Sequence, residues 1–283
     1  MAMLKTFAIR LATLTIALGG LWLALTQQPP AQPLTVETIA SDLHIIVGSG
    51  GNIGVLTTPE GVILVDAKFE RNVPEILAKV KGITDKPLRY ILNTHHHGDH
   101  TGGNQKLLEA QTLQIVSHKN ARANMVTGKL PGLAHVTFNN ESAVYLGGKE
   151  AIIRYFGRGH TNGDAIVYFP AHRVVHMGDL FNTGGPFIDY AGGGSGIDWA
   201  KTIDGVLKLD FDTVIPGHGP ISKKADLLKW RNAFEVFTGR VKDMKFQGKS
   251  KDDIGKLLKI DDLGWAGGAN FARSIPGLYD ELK

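Results

Sequence analysis

Thr94-His95-His96-His97-Gly98-Asp99-His100 is the stretch from which both the fold and the chemistry of this chain can be read. His95, His97, Asp99 and His100 place imidazole nitrogens and carboxylate oxygens, the donors that zinc-like divalent cations take, within six residues. Side chains on one short loop diverge, so a single ion rarely collects more than three of them. Donors in this number therefore predict two neighbouring cations. An expression tag does not explain the run, which is internal, broken by Gly98-Asp99 and preceded by the apolar segment 88–92. His96 points away from its neighbours in an extended loop and is read as a supporting or structural residue.

Outward from this loop, short apolar runs separated by turns predict strands over 44–47, 53–57, 62–65 and 88–92, the last running straight into the histidines. Residues 73–80 have helical spacing, with Asn72 as cap and Pro74 in the first turn. Residues 104–110 are also expected to be helical before 114–116 returns to strand. A second group of strands is expected over 143–146, 151–156, 165–169, 173–176 and 213–215. Helices are expected over 197–209 and through most of the chain from Ile221. Two groups of strands, each followed by helices, predict two βα halves packed sheet against sheet, with the helices outside.

The expected strand ends carry more donors. His160 lies in Gly157-Arg158-Gly159-His160-Thr161, Asp179 in Met177-Gly178-Asp179, and His218 in Pro216-Gly217-His218-Gly219-Pro220. Each stands beside glycine, which lets the backbone turn sharply and aim a side chain into a common cleft. A lone His or Asp at a turn usually satisfies backbone groups. Four strand ends delivering such donors together predict one joint site. Thr94, Thr101 and Thr161 are expected to hydrogen-bond these loops.

In this order the motifs resemble the signature of the metallo-β-lactamase superfamily. Its His-x-His-x-Asp-His stands here as His95-x-His97-x-Asp99-His100, followed by Gly-His-Thr around His160, Gly-Asp around Asp179 and Gly-His-Gly around His218. The resemblance spans roughly residues 43–220 and implies an α/β fold, an αββα four-layer sandwich with the metals at one edge of the two sheets. It also implies a first metal on His95, His97 and His160, and a second on Asp99, His100 and His218, with Asp179 as a carboxylate bridge. Two Zn2+ ions suit this donor set best, with iron or manganese open beside a bridging carboxylate. Two such ions lower the pKa of a shared water towards neutrality, so that hydroxide serves as nucleophile. Asp99, a ligand close to that water, is the candidate catalytic residue for its proton.

The implied reaction is hydrolysis of an amide, ester, thioester or lactone in a small-molecule substrate. Lactamases of the superfamily that use a thiolate ligand carry Cys near the Asp179 position, and this chain has no cysteine. Asp in that place resembles the glyoxalase II and lactonase branches. Cleavage of a β-lactam amide is the first expectation, and thioester or lactone hydrolysis the alternative. A non-catalytic metal-binding module is a reading from a different class, disfavoured by the complete donor set.

The bulk composition narrows the field further. The 283 residues are enough for a sizeable core. The net charge is +4, and setting aside Lys5 and Arg10 leaves 29 basic against 27 acidic residues. No Lys/Arg cluster stands out, which argues against a nucleic-acid partner and hence against a metal-dependent nuclease. The lack of cysteine excludes disulfides, thiolate ligands and a cysteine nucleophile.

Residues 1–26 read as an export signal, because Lys5 and Arg10 precede an uncharged, mostly apolar run over 11–25. That run is shorter than the roughly 20 residues that span a bilayer. An uncleaved N-terminal anchor is the competing reading, and 27–33 is read as a Gln- and Pro-rich spacer. The expected layout is a signal and linker over 1–33 and a hydrolase domain over 34–283, periplasmic or secreted.

The remaining features are read more simply. Residues 181–196, with Phe187, Tyr190 and several glycines, either cover the cleft or connect elements. His44, His118, His135, His172 and His176 lack ligand neighbours and are read as ordinary surface or strand residues. Trp230, Phe234 and Phe237 fall at helical spacing, which predicts core packing. Trp265 and Phe271 are expected to dock the tail or line the mouth of the cleft.

Overall fold

Alternating side chains along the strands divide the apolar residues between two faces, and this division builds the architecture. The structure, a computed structural model, describes residues 33–265 and 269–283; the expected export signal lies outside them. The first sheet contains β1 (Thr35–Ala40), β2 (Leu43–Val47), β3 (Ile53–Thr58), β4 (Gly61–Val65), β5 (Leu88–Asn93), β6 (Gln114–His118) and β7 (Val136–Phe138), paired in chain order. Its connections carry α1 (Val73–Ile83), α2 (Gly98–Thr101), α3 (Asn104–Ala110) and α4 (Lys119–Thr127). The second sheet runs in order from β8 (Glu141–Leu146) through β9 (Lys149–Tyr155), β10 (Ala165–Phe169), β11 (Val174–His176) and β12 (Thr213–Ile215) to β13 (Ser222–Lys223). It is followed or interrupted by α5 (Gly196–Val206), α6 (Lys224–Phe246), α7 (Lys251–Leu257) and α8 (Ala269–Glu281).

Three cores hold the layers together. Ile63 and Val65 of β4 share a core with Val167 and Phe169 of β10, between the sheets. Val62 and Leu64 of β4 pack instead with Ile76 of α1 and Leu107 of α3. On the far side, Ile166, Val175 and Val214 pack with Trp199, Phe234, Phe237 and Leu278 from α5, α6 and α8. Burying each of these large side chains contributes about 1.5–3 kcal/mol. The result is the αββα sandwich expected from the sequence.

Strand direction positions the site. β4 and β5 are parallel, so the chain leaves both at the same edge of the first sheet. β11 and β12 are parallel, and β9 and β11 both run antiparallel to β10 between them. The segments after β9, β11 and β12 therefore emerge at one edge of the second sheet, and these are the segments that carry His160, Asp179 and His218.

Five elements, β1, α2, α4, β7 and β13, were not foreseen. β1 is an edge strand with largely exposed residues, so it has no alternation to detect. α4 has a mostly polar sequence; its start is capped by His118, whose Nδ1 accepts from the Asn120 amide at 3.3 Å. The C-terminal helix α8 also reaches back across the sandwich. Ser274 Oγ accepts from the Ile188 amide at 2.8 Å. The Glu281 carboxylate accepts from Tyr190 Oη and the Gly196 amide, each at 2.8 Å, and from the Ser195 hydroxyl.

Candidate metal centre

His95 and His97 follow β5 directly, while Asp99 and His100 lie in α2, whose first turn reverses the chain so that both loop and helix face the sheet edge. The structure brings together every donor that the sequence reading singled out. One nitrogen each from His95, His97 and His160 lie within 4.8 Å of one another, as do ligand atoms of Asp99, His100 and His218. Asp179 stands between them. Its Oδ1 is 3.2 Å from His100 Nε2 and 3.4 Å from His218 Nε2, and its Oδ2 is 3.7 Å from His160 Nε2. Asp179 Oδ1 is buried yet accepts no hydrogen bond of good geometry.

Hydrogen bonds on the outer side of each ring fix which nitrogen carries the proton. His160 Nδ1 donates to the Phe187 carbonyl at 2.6 Å, and His97 Nε2 to Asp189 Oδ2 at 2.9 Å. His100 Nδ1 donates to Asp66 Oδ2 at 2.8 Å. Thr94 Oγ1 gives its proton to the other side of that network, Asp66 Oδ2 at 2.7 Å, so it accepts from His95 Nδ1 at 3.1 Å. The inner nitrogens of His95, His97 and His160 therefore turn lone pairs towards each other. His97 Nδ1 lies 2.8 Å from His160 Nε2 and 3.2 Å from His95 Nε2. Converging lone pairs repel unless a cation or proton stands between them, and carboxylate-anchored histidines of this kind are the usual support of metal ligands. The donors therefore fit divalent cations.

The two groups differ in charge. Burial pushes His95 well below the usual imidazole range and His160 down to about 4, so these two rings are neutral. In the second, burial opposes charge on His100, but the carboxylates of Asp179, Asp99 and Asp66 outweigh it and raise the ring well above its usual range. Asp179 also raises His218, to about 9. Burial acts against the Asp99 carboxylate as well, yet His100 and His218 hold it down to about 2. An array of carboxylates that already stabilises positive charge at that position is suited to receive a metal ion.

Glycine is required where the backbone crosses this cluster. A side chain at Gly51 would overlap the His100 ring, and one at Gly217 would overlap Asp179 Oδ1. Asp66 and Lys68 both have positive φ, 66° and 51°, on either side of Ala67, whose amide donates to the His100 carbonyl at 2.7 Å. Backbone in this region costs energy for non-glycine residues and tends to be kept at functional sites. The Lys68 ammonium is buried, which lowers it to about 8, and donates to the Gly51 carbonyl at 2.6 Å.

Several supporting residues escaped the sequence reading. Asp66 ends β4 and could have been found by the same strand-end logic that located Asp179. Asp189 lies in the 181–196 segment and has no periodic signal; it binds His97 and lies 3.7 Å from His96 Nε2. His96 therefore supports the loop, as expected. Of the histidines read as ordinary, His44, His118 and His176 are buried rather than on the surface. His176 accepts the Gly178 amide on Nδ1 at 3.2 Å and donates from Nε2 to the Asn52 carbonyl at 3.0 Å, which pins the turn that delivers Asp179.

A cavity of about 530 Å³ opens over the donors. Asn182, Thr183, Gly184 and Phe187 of the 181–196 segment form part of its wall, so that segment covers the cleft. Arg273 of α8 also lines it, with its guanidinium carbon 4.3 Å from the centre of the Phe187 ring.

The buried Asp164 holds the turn after His160, accepting from the Thr161 amide and hydroxyl. Burial raises its carboxyl to about 7, against a usual 3.8, while those hydrogen bonds pull the other way. The folded state thus keeps a proton that the unfolded chain releases near pH 4. This contribution to stability is complete below pH 4 and is lost as pH rises through 7. Asp164→Asn should therefore flatten the melting temperature of the metal-free protein between pH 4 and 7. An unchanged slope would contradict this assignment.

A profile described as the metallo-beta-lactamase superfamily matches residues 46–218, which include both donor groups. The type 2 metallo-beta-lactamase of Bacillus cereus is 26% identical over 194 residues, covering 62% of this chain and 69% of that protein. The hydroxyacylglutathione hydrolase of Crocosphaera subtropica is 39% identical over 92 residues, covering 32% of this chain and 33% of that protein. Among solved structures, the metallo-beta-lactamase from Pontibacter korlensis aligns with a TM-score of 0.65 at 21% identity, covering 71% of this chain and 99% of that one. That likeness is one of fold.

Proposed function

The chain belongs to the metallo-β-lactamase superfamily and is a metal-dependent hydrolase, and on that premise we propose that it is an exported enzyme that holds two zinc ions and opens the amide bond of a β-lactam. The observation that carries this reading is the convergence of the His95, His97 and His160 nitrogens beside a second cluster of Asp99, His100 and His218, with Asp179 reaching both, below one cavity. His95, His97 and His160 would hold one cation, Asp99, His100 and His218 the other, and Asp179 would reach both. When bound, such cations polarise a carbonyl and bring the pKa of water close to neutrality.

The chain's own residues supply the rest. Asp99 is partly exposed to the cavity and unprotonated above pH 2, so it can take a proton from the attacking water and pass it to the leaving group. Asp66 and Asp189 keep His100 and His97 in register for this. Phe187 and the 182–184 segment limit access of bulk water. Arg273 is the guanidinium on the cavity wall suited to a substrate carboxylate. Arg273→Ala should raise KM for nitrocefin, which carries a carboxylate, roughly tenfold with little change in kcat, as expected for loss of a charged hydrogen bond. An unchanged KM would remove Arg273 from substrate binding.

The testing experiment is nitrocefin hydrolysis with metal analysis on the same sample. About two zinc ions per chain and turnover abolished by chelation are expected. A second reading, hydrolysis of a thioester or lactone, is favoured by Asp179 at the position where thiolate-bearing lactamases have cysteine. Two metals with nitrocefin left intact, and turnover of an acyl-glutathione thioester, would select that reading instead. Recovery of the protein in the periplasmic fraction would test export; retention in the cytoplasm would refute it.

A further inference from the structure

Beside the metal cavity lies a smaller one of about 250 Å³, walled by Phe181, Trp230, Leu263 and Trp265 together with the polar Ser222, Asp226 and Lys229, with Thr183 at its border. Thr183 also lines the metal cavity, and its amide donates to the His218 carbonyl at 3.1 Å, so one short segment separates the two spaces. Trp230 is only 4% exposed. The indole Nε1 atoms of Trp230 and Trp265 are both buried and have no hydrogen-bond partner among the described residues. Their rings lie 6.3 Å apart, centre to centre.

Buried donors are nearly always paired, because an indole N–H withdrawn from water without an acceptor loses its hydration for nothing. Two such donors, unpaired among the described residues and lining one cavity, are available to an acceptor carried by a ligand. Whole small-molecule sites usually occupy roughly 300–1,000 Å³. The metal cavity falls in that range, while the smaller one falls just below it and matches a substituent rather than a complete ligand.

We propose that this cavity is a subsite for the side arm of the substrate, binding an aromatic group that carries a neutral carbonyl acceptor. Aromatic walls would take the ring, and the indole N–H groups the carbonyl. The proposal rests on the hydrolase reading for its role in turnover, but binding of the arm itself does not depend on it. Trp230, Leu263 and Trp265 lie outside the residues that match the superfamily, so the subsite would distinguish this chain's preference from that of its relatives.

The test uses the metal-loaded full chain and phenylacetamide as probe, with acetamide as control, followed by calorimetry. Saturable binding of phenylacetamide, absent for acetamide, is expected. Trp230→Phe and, separately, Trp265→Phe keep an aromatic ring but remove the N–H, and each should weaken binding about fivefold, the usual scale of one neutral hydrogen bond. In turnover, benzylpenicillin should have a lower KM than 6-aminopenicillanic acid, and both variants should erase that difference while leaving the unsubstituted substrate unchanged. No binding of phenylacetamide, or binding equal in both variants and the parent, overturns the subsite. Binding lost in the variants without turnover of either penicillin would keep the subsite and refute the β-lactam reading; turnover blind to the arm would keep the β-lactam reading and overturn the subsite.

Discussion

His160→Ala is expected to lower turnover by more than about 10³-fold and to remove one metal equivalent per chain. Loss of a partner that merely supports a ligand typically costs 10–100-fold, and a ligand itself should cost more. His160 is 2% exposed, and its Nε2 lies 2.8 Å from His97 Nδ1 and 3.7 Å from Asp179 Oδ2. No neighbouring side chain can replace it, because its Nδ1 is fixed by the Phe187 carbonyl and the ring enters from the second sheet, opposite the donors of the first. Metal content by elemental analysis, alongside kcat/KM and circular dichroism, checks this. A folded variant with two metals and parental turnover would remove His160 from the centre.

Asp66→Ala should destabilise the protein by about 3–5 kcal/mol, the usual cost of taking one partner from a buried charged network. Asp66 is fully buried. Its two oxygens accept from the Thr94 amide at 2.8 Å, the Thr94 hydroxyl at 2.7 Å and His100 Nδ1 at 2.8 Å. Alanine leaves all of these donors buried and unpaired, and water cannot reach them without opening the sheet edge. For a domain of this size that is a fall in melting temperature of roughly 10 °C. Asp66→Asn keeps the volume and one acceptor, so its loss should be smaller. Metal affinity at the group containing His100 should also fall 10–100-fold in either variant. A melting temperature within 2 °C of the parent, about 1 kcal/mol, would refute the role assigned to Asp66.

The strands were legible because they are short, mostly buried on both faces and bounded by glycine or polar turns. Over 165–169 and 213–215 the expected and observed strands coincide. β1 escaped because an edge strand carries no buried face, and α4 because its polar residues define no stripe. The donors were legible for a different reason. Metal ligands must be His or Asp whatever the fold, and glycine marks the turns that present them. Asp66 was overlooked at a strand end like that of Asp179, whereas Asp189, on a loop, and Arg273, on α8, have no meaning until folding chooses their partners. Asp189 is 92 positions from the histidine it orients, and no local pattern predicts such a pair.

Glu281 links the last helix to Tyr190, Ser195 and Gly196, and Ser274 holds Ile188. These residues follow the segment that carries Phe187 and Asp189 by about ninety positions, and a polypeptide is made from its N-terminus at roughly 5–20 residues per second. The wall's bonds to His97, His160 and His218 join residues made earlier, but the brace that Ser274 and Glu281 give it is complete only when the last helix has been made. Several seconds of synthesis therefore separate the donors from the helix that braces the wall above them.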